Sequence, residues 1–379
     1  METLSRRDFL LSASAAALAI AAAPALAATS ASGRQRVFIA SSTPNGILGY
    51  DWNPATAELT PAGVAAKIPS VAWITFSPDR QFLFAAAEVD NFNGKPTGEV
   101  ASFRVVNGEL QPLSAQNSAG VGTCHVALDR TGRVLLAANY GGGSAASFLV
   151  TDGQLSPAVW NEQYTGHGPV ADRQQSAHAH FASFSPDNRF TYINDLGGDC
   201  IHIYTLNANT AALTPAGNYR AKPGAGPRTL HFHPNGHTAY CMNELDSTVN
   251  VLEWNKADGS LALQNSIELL PKVHGSGNTG CDTVISRDGR SVYFANRGDD
   301  FLFHCSADPK TGQLTPIGSS SCGGKTPRNF TLDPTERWML VANQDSSQIS
   351  VFARNLQTGA LANEGKSYPA ATPMCILFT

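Results

Sequence analysis

The chain has 379 residues, of which 42% are hydrophobic and only 15% charged, with a net charge of −4. That is a soluble globular profile, and no Lys/Arg tract beyond the first few residues supports a nucleic-acid footprint. The length is large for one compact core, so internal repetition or two domains must be considered first.

The N-terminus reads as a leader. Ser5-Arg6-Arg7-Asp8-Phe9-Leu10 precedes an Ala/Leu-rich run from Leu11 to Ala23, followed by Pro24-Ala25-Leu26-Ala27. This is a basic region, a short apolar region and a small-x-small cleavage site, and the arginine pair resembles a twin-arginine export signal. The run is too short and Ala-rich for a good spanning helix, and no other stretch could cross a bilayer. Residues 1–27 are therefore expected to be removed, with 28–35 as a linker. The mature form is periplasmic or secreted and free of the membrane, and the twin-arginine (Tat) translocase is a partner during export.

From residue 36 one pattern recurs: an apolar strand, a Ser-Pro-Asp type turn, a second strand and a polar corner. Its instances are ITFSPDRQFLFAAAE from Ile74, VALDRTGRVLLAANY from Val126, ASFSPDNRFTYINDL from Ala182, LHFHPNGHTAYCMNE from Leu230, TVISRDGRSVYFANR from Thr283 and TLDPTERWMLVANQ from Thr331. Anchored on Pro78, Arg130, Pro186, Pro234, Arg287 and Pro334, they are spaced by 52, 56, 48, 53 and 47 residues, the length of a four-stranded propeller blade. A third strand (VASFRV, ASFLV, IHIYTL, VNVLEW, FLFHCSA, ISVFAR) and a weaker fourth around Leu59, Leu213 and Leu314 complete each unit. The ends hold a seventh blade in two pieces. Arg36–Ala40 matches a second strand, and Cys375-Ile376-Leu377-Phe378-Thr379 supplies the missing first. Pairing the ends closes the ring and removes exposed edges. The expected fold is all-β: one seven-bladed β-propeller of antiparallel blades over residues 36–379.

Positions that repeat serve packing first. Asn139, Asp195, Asn243, Asn296 and Asn343, nine residues after their anchors, read as corner side chains capping backbone groups. Cys124, Cys200, Cys241, Cys281, Cys305, Cys322 and Cys375 are odd in number and lack CxxC spacing. They read as small buried hydrophobes, not as a disulfide or zinc scaffold.

Positions that differ between blades are the functional candidates. Six residues before the anchor, at the mouth of the innermost strand, stand Ala72, Cys124, His180, Arg228, Cys281 and Arg328. Ten residues after it stand Glu88, Tyr140, Leu196, Glu244, Arg297 and Gln344. Innermost strands surround the central channel, so His180, Arg228 and Arg328 converge there in a cationic funnel, with Glu244 in the blade of Arg228. Arginines can clamp an anion and hold charge developing on an ester oxygen, and a histidine or carboxylate can take a proton from water. Lactone opening needs both functions. The competing reading is that these groups are ion pairs bridging blades. His125 and Arg297 join Arg228 and Arg328 as substrate-binding candidates. His178 and His180 alternate along one strand, so only one can face the channel, and register favours His180. His231 and His233 look like strand packing. No Gly-x-Ser-x-Gly elbow is present, and no metal or other cofactor is implied.

Several stretches resemble the lactonase-type seven-bladed propellers, a family that includes bacterial propeller-type 6-phosphogluconolactonase and the fungal cis,cis-muconate-lactonizing enzyme. They are Asn139-Tyr140-Gly141-Gly142-Gly143, Gly224-Ala225-Gly226-Pro227-Arg228, HFHPNGHTAYCMNELDSTVNVLEW from His231, Gly324-Lys325-Thr326-Pro327-Arg328-Asn329-Phe330 and Val341-Ala342-Asn343-Gln344-Asp345. The resemblance implies a His, Glu and two-Arg active site on His180, Glu244, Arg228 and Arg328, with either His180 or Glu244 as the base. Two departures bear on the substrate. Thr229 stands where many relatives have His, and the stretch Asp172–Ala177 is off the usual Gln-Glu-Gly-Pro form. The expected function is cofactor-free hydrolysis of a small sugar-type lactone. The alternatives are a non-catalytic ligand- or protein-binding propeller and a lactone-forming cycloisomerase.

Overall fold

The computed structural model describes residues 33–269 and 277–379. The leader expected over residues 1–27, and most of the linker after it, lie outside the described residues. All the regular structure described is strand, arranged as seven antiparallel sheets. Six blades are contiguous in sequence. The seventh, counted as blade one, orders Pro373–Phe378, Gln35–Ser41, Ile47–Asn53 and Glu58–Ala66 from the channel outward. Its seam pairs Phe38 with Leu377, Ile39 with Ile376 and Ala40 with Cys375, so the two ends of the chain close the ring. The expected architecture is the observed one, with the closing strand starting two residues earlier than the sequence suggested. Blade three differs in its outer edge, which two short strands, Gln154–Leu155 and Trp160–Gln163, share against Ser144–Thr151.

Each blade alternates so that both faces bury apolar side chains against the neighbouring blades. Tyr192, Ile201 and Ile203 of blade four pack on Leu230, Ala239 and Cys241 of blade five in one contiguous cluster. The corner residues are buried and bonded: Asn139 Nδ2 donates to Ser118 O (3.0 Å) and Ser144 Oγ (3.1 Å), and Asn343 Nδ2 to Cys322 O (3.2 Å) and Ser350 Oγ (2.9 Å). Asp195 Oδ1 accepts from His178 N (2.8 Å) and Gly198 N (3.0 Å). All seven cysteines are free and buried.

The feature that positions the site is a β-bulge repeated in the innermost strand of every blade. Pairing skips Ala72, Cys124, His180, Arg228 and Arg328, skips Cys281 and Asp282 together in blade six, and skips Met374 at the seam. A bulged residue leaves the ladder and its side chain is re-aimed. Here it is aimed at the axis. In several blades the bulge is fed by a residue with left-handed backbone, Gly122 (φ 65°), Gly226 (φ 67°) and Thr326 (φ 59°) among them.

A bulge also frees backbone carbonyls, which must find partners when buried. Neighbouring bulges supply them. Cys124 Sγ lies 3.2 Å from His180 O, Arg228 Nη1 donates to Cys281 O (2.9 Å), and Cys281 Sγ lies 3.0 Å from Arg328 O. The cysteines among the channel residues are thus donors to the next blade's backbone. Burial pushes the Cys124 thiol up to about 12, so it stays protonated for that purpose.

Candidate active site

At the end of the channel where the inner strands begin, a cavity of about 160 Å³ is lined by Glu88, Tyr140, Arg173, His180, Glu244, Arg297 and Arg328. His180 and Arg328 come from bulges. Glu88, Tyr140, Glu244 and Arg297 come from the corners that follow the second strands. Arg228 lies directly behind Glu244. The spacing rule therefore brings blades two to seven to one point.

Glu244 is 2% exposed and sits in a cage of three guanidiniums. Its Oε2 accepts from Arg228 Nε (2.7 Å) and forms an ion pair with Arg297 Nη2 (3.0 Å), and its Oε1 accepts from Arg173 Nη2. Burial works against the carboxylate charge, but Arg297, Arg228, His180 and Arg173 together hold the carboxyl well below the usual range. A carboxylate so stabilised is a weak base.

His180 is 8% exposed, and its ring meets Tyr140 edge-on with centroids 5.5 Å apart. Burial, with the charges of Arg228, Arg328 and Arg297, keeps the imidazole well below its ordinary value, Glu244 opposing. It is neutral at neutral pH. Arg328 differs from the other guanidiniums. Among the described residues no carboxylate lies within ion-pair distance of it, and burial plus the positive neighbours Arg228 and Arg297 lower its pKa. It faces the cavity half-buried, with unused donors. Glu88 faces the same space from blade two.

The candidates separate as follows. His180, Arg228, Glu244, Arg297 and Arg328 come together around this cavity. His125 does not reach it. Its ring is wedged between Trp73 (centroids 4.6 Å apart) and Phe181 (3.9 Å), its Nδ1 accepts from Ala182 N (3.3 Å), and it looks toward the opposite mouth with His231. The neck between the two mouths leaves only about 10 Å³, so this aromatic collar divides the channel. His178 stacks on Tyr140 (4.5 Å, 16°) outside the cavity. His233 Nε2 bonds Gly289 O at 2.8 Å, a packing role, whereas His231 lies 3.4 Å from buried Asp282.

Arg173 had not been among the candidates. It lies in the 164–178 connection between blades three and four, which crosses the rim and is pinned by Gln174, whose Nε2 donates to Leu196 O (2.9 Å). The available signal was length: the Arg130 to Pro186 interval is the longest of the five. Among the described residues no group of three His, Cys, Asp or Glu side chains could hold a metal.

A closed seven-bladed ring with an axial cluster of one neutral imidazole, one caged carboxylate and one guanidinium without an ion pair among the described residues defines a propeller with an enzyme-like channel mouth. The chain belongs to the lactonase family of seven-bladed β-propellers, whose family model matches residues 36–378. It is 31% identical over 336 residues to the 6-phosphogluconolactonase of Bacillus subtilis, covering 88% of this chain and 94% of that protein. Its identity to the 6-phosphogluconolactonase of Formosa agariphila is also 31%, over 337 residues, 86% of this chain and 94% of that one. Among solved structures, the periplasmic gluconolactonase of Pseudomonas aeruginosa superposes with a TM-score of 0.83 at 30% identity, covering 91% of this chain and 99% of that chain.

Proposed function

We propose that this chain is a cofactor-independent hydrolase of sugar-type lactones, acting at the Arg328–His180 cavity. The observation that carries the reading is the pairing state of the cavity. Glu244 pairs with Arg173, Arg228 and Arg297, while Arg328 points into the same space with no ion-paired carboxylate among the described residues. A desolvated, unpaired guanidinium is costly unless an anion or a developing anion comes to it. The family's lactonases, named above, point to the ester as the source of that charge.

In the reaction, Arg328 donates to the lactone carbonyl oxygen and stabilises the tetrahedral oxyanion. His180, neutral and facing the cavity, removes a proton from the attacking water and returns it to the ring oxygen as the C–O bond breaks. Glu244 is a positioning residue. Its cage orders Arg228 and Arg297 and offsets part of the positive charge that would otherwise depress His180 further. Export fits this setting: the Arg6-Arg7 leader and the periplasmic relative both support action outside the cytoplasm, and an unphosphorylated aldonolactone is a natural first substrate to try.

The test is a pH-stat assay on a panel of aldonolactones with wild type, Arg228→Ala and Arg328→Ala. Wild type is expected to open at least one lactone well above background, and Arg328→Ala to lose about 10²–10³ in kcat, the usual cost of one oxyanion donor. The reading fails if no lactone opens faster than background, or if both variants match wild type.

A further inference from the structure

We infer that Arg173 is a specificity-determining residue: it exchanges its bond to Glu244 for an anionic group that the lactone carries away from its ester, while Arg328 holds the ester end. This rests on the hydrolase reading above.

Three guanidiniums share Glu244, but they are not equally held. Arg228 is 4% exposed, bonds Glu244 through Nε (2.7 Å) and is tied to Cys281 O through Nη1 (2.9 Å). Arg297 ends the strand Ser291–Arg297 and reaches Gly280 O as well as Glu244. Arg173 belongs to no strand, and its side chain is 36% exposed. Among the described residues its one other side-chain partner is the Tyr140 hydroxyl, at 3.3 Å. If it leaves, Glu244 still keeps Arg228 and Arg297 on Oε2, so no buried charge is stranded. If either of the others left, a buried guanidinium would lose its ion pair.

The backbone beside Arg173 is anchored, while its side chain is partly exposed. Gln174 is 1% exposed, its Oε1 accepts from Val170 N (3.2 Å), and its Nε2 is spent on Leu196 O. Arg173 therefore reaches from a defined point on the rim into the same cavity as Arg328. Three guanidiniums, Arg173, Arg297 and Arg328, line the cavity with a fourth, Arg228, behind Glu244, against two carboxylates, Glu88 and Glu244, so its field favours a substrate with net negative charge. Guanidinium forks suit carboxylate and phosphate alike, and the two sources are separated by experiment.

The experiment compares glucono-lactone with its 6-phosphate and with the corresponding 6-carboxylate lactone. In wild type, at least one anionic lactone is expected to have the higher kcat/KM. Arg173→Ala should shrink that preference at least tenfold, mainly through KM, and Arg173→Lys should retain most of it. Arg328→Ala should lower all three substrates together. The inference is overturned if the preference in Arg173→Ala stays within twofold of wild type, or if wild type favours the neutral lactone. A wild type that opens none of the three overturns the hydrolase reading first, and this inference with it. Circular dichroism melts of both Arg173 variants confirm that a changed preference comes from folded protein.

Discussion

The chemistry proposed for the channel mouth depends on two groups whose environments push them apart. His180 is stripped of its proton by burial and by Arg228, and Glu244 is held ionised by Arg297 and Arg228. In the proposed reaction the first acts as the base, because a proton taken by Glu244 would have to displace its cage. The pH dependence follows. His180 must be neutral to work, and its pKa lies below the ordinary 6.5, so kcat/KM should stay level from pH 7.5 down through 6.5 and fall only at lower pH. An acid limb at or above 6.5 would remove His180 from the role. Glu244→Gln gives a second discrimination. Loss of the charge leaves three guanidiniums without a carboxylate, and breaking a buried ion pair costs about 3–5 kcal/mol. Urea denaturation should show a loss of that size alongside lost activity. A Gln variant as stable as wild type but inactive would mean that Glu244 works chemically instead.

At the scale of the strand, the bulge decides which side chains meet. Gly226 shows how finely the feed into it is set. Its φ is 67°, its N donates to Asp199 Oδ1 (2.8 Å), and its O accepts from Glu244 N (2.7 Å). A Cβ there would fall 2.6 Å from Leu245 Cγ. Gly226→Ala combines left-handed backbone strain of about 1–2 kcal/mol with overpacking of about 1–3 kcal/mol. It should also move Arg228 and Glu244, which flank it. Activity is expected to fall further than the stability loss explains, when kcat is measured well below the melting temperature. Normal kcat in a merely destabilised protein would show that the bulge does not set the site. The bulge also marks where sequence reading stopped. Anchor spacing gave His180, Arg228, Glu244, Arg297 and Arg328 a common location, because one blade length repeats whatever the residues are. Strict alternation, however, assigns one side per residue, and the bulge turns consecutive positions toward the axis at different depths. That is why His125 lies in the collar and not in the cavity. Arg173 escaped because it sits outside the repeat, in a connection whose path no periodicity constrains.

The whole ring depends on one seam, and the fold was legible there for the same reason that it is stable there: a chain beginning at a second strand and ending at a first has one way to leave no edge open. The closing strand buries Met374, Cys375, Ile376 and Phe378, each under 8% exposed. At about 1.5–3 kcal/mol for each large apolar side chain, this is on the order of the 5–15 kcal/mol by which a typical domain is stable. It also supplies bonds to two other blades, from Ile376 N to Asn329 Oδ1 (2.9 Å) and from Arg80 Nη1 to Phe378 O (3.1 Å). Deleting residues 373–379 should therefore abolish cooperative folding and not merely fray blade one. A circular permutant separates the need for the strand from the need for its covalent position. Thr379 N donates to Arg36 O at 3.0 Å, so a short linker can join the ends, and the chain can be reopened in the exposed turn at 256–258 of blade five. The permutant is expected to melt cooperatively and keep its lactone-opening rate, because the seam strand and the His180–Arg328 cavity are both intact. If the permutant unfolds like the truncation, closure depends on the order in which the blades form, and pairing at the seam is not sufficient to hold the ring.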